Sequence, residues 1–141
     1  MKEISKRLSK LSYAEHEVRV GIAQQIVESL AKNDEWRDWI TGAYLFGSTA
    51  RGEARKESDL DLAIRTNQAL YFGMDFTWIT GRLIDSVKKA KQGLMIDTEL
   101  KINPIIITES WLMNPVDCNL LNIHVVIAVK NEGILLFGEE I

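Results

Sequence analysis

Cysteine is nearly absent from this chain: Cys118 is the only one. No internal disulfide can form, which excludes the small stapled modules of secreted proteins. With only two histidines beside it, no His/Cys cluster of the kind that holds zinc is available. Proline is scarce as well, two in 141 residues, so no proline-rich linker divides the chain, and there is neither an internal repeat nor a low-complexity stretch. Long apolar runs are missing. Residues 105–107 and 124–129 fall far short of the ~20 residues that a spanning helix needs. Met1-Lys2-Glu3-Ile4-Ser5-Lys6-Arg7 lacks the apolar stretch of a signal peptide. An excess of positive charge is missing too: 17 Lys and Arg stand against 20 Asp and Glu, a net charge of −3, without the basic footprint of a nucleic-acid binder. The expectation is a cytoplasmic chain with no membrane span, folded as one domain over residues 1–141 with at most one small site. A hydrophobic fraction of 46 % is enough for a core at that length.

What is present begins with a periodic segment over residues 12–32. Val18, Ile22, Ile26 and Leu30 recur every four residues, and Ala23 and Val27 widen the stripe. The spacing predicts an amphipathic helix, ended by Asn33-Asp34. His16 is expected on its polar side. Trp36 and Trp39 follow in a short helical or turn segment and are expected to cap the core. The period then changes: Gly42-Ala43-Tyr44-Leu45-Phe46 is a short apolar run closing on Gly47-Ser48, as a buried strand entering a tight turn would. Leu60, Leu62 and Ile64 alternate with Asp59, Asp61 and Ala63, which predicts a second strand with one apolar and one acidic face. A helix follows over about residues 75–91, with Phe76, Ile79, Leu83 and Val87 inward and Lys88, Lys89 and Lys91 at its C-terminal end, where the helix dipole favours positive charge. Gly93 is the stop. Ile102 and residues 105–107 place a third strand at about residues 99–108. Asn114-Pro115 reads as an N-cap and first helical residue, starting a helix to about Asn131. Gly133 ends it, and residues 134–137 form a last strand. The order α-β-β-α-β-α-β predicts an α/β or α+β domain with helices packed on a small sheet.

The segment with chemistry in it runs from Leu45 to Leu62. Gly47 permits a sharp turn and the close approach of a ligand. Ser48 and Thr49 follow at the expected start of a short helix, where N–H groups and hydroxyls can hold a phosphate. Asp59 and Asp61 are two apart on a strand and project from one face. Two such carboxylates repel unless a cation lies between them. Magnesium suits them, being hard, oxygen-seeking and commonly bound by one or two carboxylates plus substrate phosphates. Taken singly, a Gly-Ser turn is usually only a turn and Asp-x-Asp at a strand edge is often solvated. Together, a phosphate cradle on one strand's turn and a carboxylate pair on the next describe a metal-dependent nucleotide site. Arg55, Lys56 and Glu57 read as a solvated loop. His124 reads as a core or interface histidine, Cys118 has no evident catalytic partner, and the aromatic stretch over residues 71–78 reads first as core packing and otherwise as a loop beside the site or a partner-binding surface.

Gly47-Ser48, ten residues, then Asp59-x-Asp61 resembles the signature of the DNA polymerase beta-like nucleotidyltransferases. The fuller run, Gly-Ser-x-Ala-Arg-Gly with Ser-Asp-Leu-Asp-Leu, is similar to the small bacterial and archaeal branch, the minimal nucleotidyltransferases, over residues 44–64. Asn131-Glu132-Gly133-Ile134-Leu135-Leu136-Phe137-Gly138 looks like that family's C-terminal helix-to-strand corner. The resemblance implies a polymerase beta palm-like fold with a mixed sheet of about four strands. It implies that Gly47 and Ser48 contact the β and γ phosphates of ATP or another nucleoside triphosphate, with Thr49 and Arg51 beside them. Asp59 and Asp61 would act as catalytic residues holding Mg2+. The implied reaction moves a nucleoside monophosphate, AMP in the first instance, to a hydroxyl on a protein or small molecule. The implied partner is a HEPN-type toxin in a toxin–antitoxin pair, or a second copy of this chain, since 141 residues leave little room for an acceptor-binding domain.

The sequence departs from the pattern at the third carboxylate, which active relatives generally place on the neighbouring strand as the base for the incoming hydroxyl. Here that strand reads Asp97-Thr98-Glu99-Leu100-Lys101-Ile102-Asn103-Pro104. The aligned positions hold Lys101 or Asn103; Glu99 serves only if the strand starts early, and Asp97 falls in the turn before it. Lys101 facing the site would pair with Asp59, Asp61 or a phosphate. The alternative expectation is therefore an impaired nucleotide-binding antitoxin or regulator that acts by protein contact.

Overall fold

The computed structural model describes residues 10–67, 76–96, 99–115 and 123–141. The first helix, α1, spans Tyr13–Lys32. Ser12 caps it: its hydroxyl accepts from the Glu15 N–H at 3.1 Å, and the Glu15 carboxylate accepts from the Ser12 N–H at 3.0 Å, a reciprocal capping box. Its buried face carries Ala23, Ile26, Val27 and Leu30 but starts with His16 and Arg19. Val18 is exposed, against the sequence expectation. At 3.6 residues per turn, a row of every fourth residue drifts by roughly 40° per step, so a stripe centred on Ile26 and Leu30 has left the core by Val18.

Four strands follow: β1 (Ile40–Phe46), β2 (Leu60–Thr66), β3 (Ile102–Thr108) and β4 (Ile134–Gly138). They form one mixed sheet in the order β3-β2-β1-β4. β1 runs antiparallel to β2 and to β4, whereas β2 and β3 are parallel. The parallel pair needs a crossover, supplied in part by helix α2 (Phe76–Gly93). The small helix α3 (Glu109–Met113) and helix α4 (Ile123–Glu132) complete the described elements.

Strand alternation divides the core in two. Ala43, Leu45, Leu60, Leu62, Ile64 and Ile106 meet α1 and α2 on one face, where Trp36 is buried and donates its indole N–H to the Ser86 hydroxyl at 2.8 Å. Tyr44, Phe46, Ala63 and Ile107 meet Leu112 of α3 and Val125, Val126 and Val129 of α4 on the other. The second face of β2 is thus acidic only at its start, because beyond Asp61 it carries Ala63 and Arg65, both buried. The Arg65 guanidinium donates to the Tyr44 hydroxyl and the Thr41 carbonyl.

The mixed sheet of four strands with helices packed on it is the architecture expected from the sequence; that the helices lie on both faces comes from the structure. Asn114 is the C-cap of α3, whose N-cap is Thr108, its hydroxyl accepting from the Trp111 N–H at 3.2 Å; Pro115 lies in a 3-10 turn, and the expected helix over residues 116–122 lies outside the described residues. Pro115 follows a helix end, a common place for proline. His124 is exposed on α4. Asp97, Cys118 and most of the aromatic stretch over residues 71–78 lie outside the described residues. Among the described residues, no helix is long and apolar enough to cross a membrane.

Candidate active site

β1 ends in a turn whose backbone is set by glycine. Gly47 has φ +79°, a left-handed conformation that side chains disfavour. The Arg51 N–H reaches the Gly47 carbonyl at 3.2 Å, the Gly52 N–H reaches Thr49 at 3.1 Å and the Glu53 N–H reaches Ser48 at 2.8 Å. Gly52, at φ +71°, stops any propagation. The expected short helix is therefore a closed turn over residues 48–52. Inside it Thr49 is buried, and its hydroxyl has no hydrogen-bond partner among the described residues.

The turn presses on a carboxylate. A Cβ built on Gly47 would lie 2.4 Å from Asp61 Oδ2, so glycine is needed here both for its φ and for the space. The register explains the contact: Phe46 pairs with Asp61, which leaves Gly47 diagonal to it across the antiparallel ladder. On the other flank, the parallel register sets Asn103 beside Asp61, and the Asn103 amide donates to Asp61 Oδ1 at 3.3 Å. Asp61 is half-buried. Burial first, and then the charge of Asp59, push its carboxyl above the usual aspartate range, while the Asn103 hydrogen bond and Arg51 pull it back. Asp59, one residue before β2, is exposed.

The loop leading to Asp59 is held by α1. His16 Nδ1 donates to the Ser12 carbonyl at 2.9 Å, which leaves Nε2 to accept the Ala54 N–H at 3.0 Å. Arg19 donates to the Ser58 carbonyl at 2.7 Å and to the Lys56 carbonyl at 2.9 Å. His16 is thus buried between helix and loop rather than on a polar face. The side chains of residues 55–57 are exposed, as expected of a solvated loop, but its carbonyls are tied down.

One further carboxylate reaches the turn. Glu132 Oε1 accepts from the Gly47 N–H at 3.3 Å and from Arg51 Nη1 at 2.9 Å, while Arg51 Nε donates to Glu53 at 3.2 Å. An anion therefore already rests on the backbone N–H and the guanidinium that were expected to meet a phosphate. Sequence reasoning quoted Glu132 but gave it no role. The available signal is topological: β4 pairs antiparallel with β1, Leu45 opposite Ile134, so residue 132 falls opposite residue 47.

A family model of the nucleotidyltransferase domain matches residues 23–134. The chain belongs to that family. Among solved structures, a Sulfolobus solfataricus protein named only provisionally as a nucleotidyltransferase is similar at 18 % identity, covering 93 % of this chain and 91 % of that one, with a TM-score of 0.54. At that identity the likeness is one of fold. A toxin–antitoxin pair, MntA–HpeT, matches at 14 % identity over 86 % of this chain and 74 % of that one, but its TM-score of 0.47 is too low to argue from. No curated protein matches the chain.

In this nucleotidyltransferase domain, a hard divalent cation would find two carboxylate donors, Asp59 and Asp61. Neither forms an ion pair among the described residues, and a cation would offset both the burial that chiefly raises Asp61 and the smaller repulsion from Asp59. Among the described residues no group of three or more His, Cys, Asp or Glu gathers as a metal site. The donor set fits one cation completed by substrate oxygens. Glu99 does not meet its condition for joining the site, since β3 begins only at Ile102 and Glu99 lies exposed in the turn before it. Lys101 gives its carbonyl to the Leu60 N–H at 2.8 Å; its side chain is exposed and makes no ion pair with Asp59 or Asp61. The structure thus brings together Gly47, Arg51, Asp61, Asn103 and Glu132, with Asp59 at the rim.

Proposed function

We propose that this chain transfers a nucleoside monophosphate, AMP from ATP, to a hydroxyl on a protein partner or small molecule, with Mg2+ and release of pyrophosphate. The observation that carries the reading is the contact between the Gly47 turn and Asp61: phosphates resting on the turn would lie beside the carboxylates that hold the cation. Asp59 and Asp61 would hold the Mg2+, whose chemistry when bound is to neutralise the triphosphate and polarise the α-phosphorus. The chain's own share is positioning. The Gly47 N–H and Arg51 receive phosphate oxygens once Glu132 yields them, His16 and Arg19 fix the loop that presents Asp59, and Asn103 orients Asp61. Such preorganised contacts supply most of the catalysis in phosphoryl and nucleotidyl transfer. Asn103 cannot take the acceptor's proton, so in this reaction the proton leaves to water.

That same residue favours a second reading. With a neutral amide opposite Asp61, the chain would bind nucleotide and silence a partner, such as a HEPN-type toxin, by contact alone. One experiment separates the two. Wild type and the Asp59→Ala/Asp61→Ala variant are incubated with labelled ATP, Mg2+ and a HEPN-type protein encoded beside the chain, and label on the partner is measured. Transfer by wild type only establishes the enzyme. No transfer, with partner binding equal in both proteins, would falsify it in favour of the binding module.

A further inference from the structure

The order β3-β2-β1-β4 puts the Gly47 turn on one flank of the two aspartates and the start of β3 on the other. On that second flank lies an open cavity of about 410 Å3. Asp59 and Asn103 line it on the side of the site, Ile84 and Val87 of α2 give it an apolar wall, and Lys88, Lys91 and Lys101 surround it. The three lysines come from two separate parts of the chain, the last turns of α2 and the residue before β3. Lys91 donates to the Leu100 carbonyl, whereas Lys88 and Lys101 pair with no carboxylate among the described residues. The helix dipole accounts for cations at the end of α2. It does not account for Lys101, nor for convergence beside Asp59 in a chain of net charge −3.

In-line displacement sets the incoming nucleophile opposite the leaving group. A triphosphate whose leaving end rests on the Gly47 turn leaves the β3 flank to the acceptor. We propose that the cavity between Lys88, Lys91 and Lys101 is an acceptor subsite, and that it selects small acceptors carrying a phosphate monoester next to the reacting hydroxyl. The proposal rests on the nucleotidyl-transfer reading. Ammonium groups are compact, rotatable point charges suited to phosphate, and several of them within a few hundred Å3 match a dianion better than scattered carboxylates. No aromatic side chain lines the cavity among the described residues, so a nucleobase finds no stacking platform there. The lysines also favour the ionised form of a hydroxyl held among them, which partly offsets the amide at position 103. In the reaction the acceptor oxygen bonds to the α-phosphorus, the bond from that phosphorus to the bridging oxygen breaks, pyrophosphate leaves with the electron pair, and the hydroxyl proton goes to water.

The test pairs binding with transfer. Binding of glycerol 3-phosphate, of glycerol and of inorganic phosphate is measured by calorimetry without nucleotide, and label transfer from ATP to the two glycerol compounds is followed separately. Glycerol 3-phosphate and inorganic phosphate are expected to bind and glycerol not to. Loss of one charged contact in Lys88→Glu or Lys101→Ala is expected to weaken phosphate binding about tenfold or more, with Lys88→Glu keeping its ATP affinity and melting temperature. Three results overturn the proposal: equal binding of glycerol and glycerol 3-phosphate, phosphate binding indifferent to both variants, or an ATP affinity that falls in Lys88→Glu as far as phosphate binding does, which would make the lysines part of the nucleotide site. Lysine-dependent phosphate binding with no label transfer to any acceptor supports the anion site and overturns the transfer reading instead.

Discussion

Replacing Gly47 by alanine tests the contact on which the site depends. The left-handed φ of +79° costs a side-chain-bearing residue about 1–2 kcal/mol. The new Cβ would sit 2.4 Å from Asp61 Oδ2, against an ordinary separation of roughly 3.5 Å, so the carboxylate must withdraw by about 1 Å. Moving the end of a short side chain is cheap in itself, but it strains the Asn103 hydrogen bond, 3.3 Å long and partly exposed, at the low end of about 0.5–1.5 kcal/mol. The total is roughly 2 kcal/mol, which in a domain of this size lowers the melting temperature by about 4–8 °C. The functional loss is larger than the stability loss, because the residue displaced is the expected metal ligand: Mg2+-dependent binding of ATP should fall below detection by calorimetry. The mechanism is isolated by a double-mutant cycle with Asp61→Ala. Removing the carboxylate relieves the clash but leaves the φ cost, so the double variant should be more stable than the sum of the singles by about 0.5 kcal/mol, the part of the cost that the displaced carboxylate carries. Strict additivity, or a Gly47→Ala melting temperature equal to that of wild type, would refute the account.

Three other outcomes follow from the same geometry. Glu132→Gln removes the internal anion from the Gly47 N–H and Arg51, so ATP should bind several-fold more tightly, read by calorimetry; weaker binding would mean that Glu132 serves to hold the turn in shape. Asp61→Asn should stabilise the metal-free protein at pH 7. The folded carboxyl titrates above its unfolded value because it is buried and faces Asp59, so its ionised form destabilises the native state as pH rises through that window, and the gain should vanish below about pH 4. Melting curves at pH 4 and 7 check this, and adding Mg2+ should raise the wild-type curve but not the variant's. Asn103→Asp sets a third carboxylate beside Asp61; it should tighten Mg2+ binding and speed label transfer from ATP, while lowering metal-free stability at pH 7 through like-charge repulsion.

Much of the fold was legible because it depends on local pattern. The alternation of Leu60, Leu62 and Ile64 and the Gly47 turn are properties of neighbours in sequence, and the strand and helix order followed from such patterns. The misreadings share one cause. His16 is polar and is expected on a solvated face, yet it lies buried because its partner, the Ala54 N–H, comes from a loop some forty residues away, the same loop that Arg19 holds through the Lys56 and Ser58 carbonyls. The short helix that Asn114 closes was missed for a related reason, since its N-cap, Thr108, is also the last residue of a strand.

The candidate site divides in the same way. Sequence by itself pointed to Gly47 with Asp59 and Asp61 as residues with the chemistry to act together, since a turn and a strand face are written in short-range spacing. Register was beyond it. Whether Lys101 or Asn103 stands beside Asp61 turns on a two-residue shift of β3 against β2, which no local pattern fixes; the parallel ladder sets Asn103 there. That Glu132 fills the turn follows from β4 returning beside β1, and that three lysines converge across the aspartates follows from α2 and β3 packing together. Side-chain chemistry is carried by each residue alone, whereas the neighbours that buried it, charged it or supplied its missing partner come from chain closure over tens of residues, and only the tertiary fold decides them.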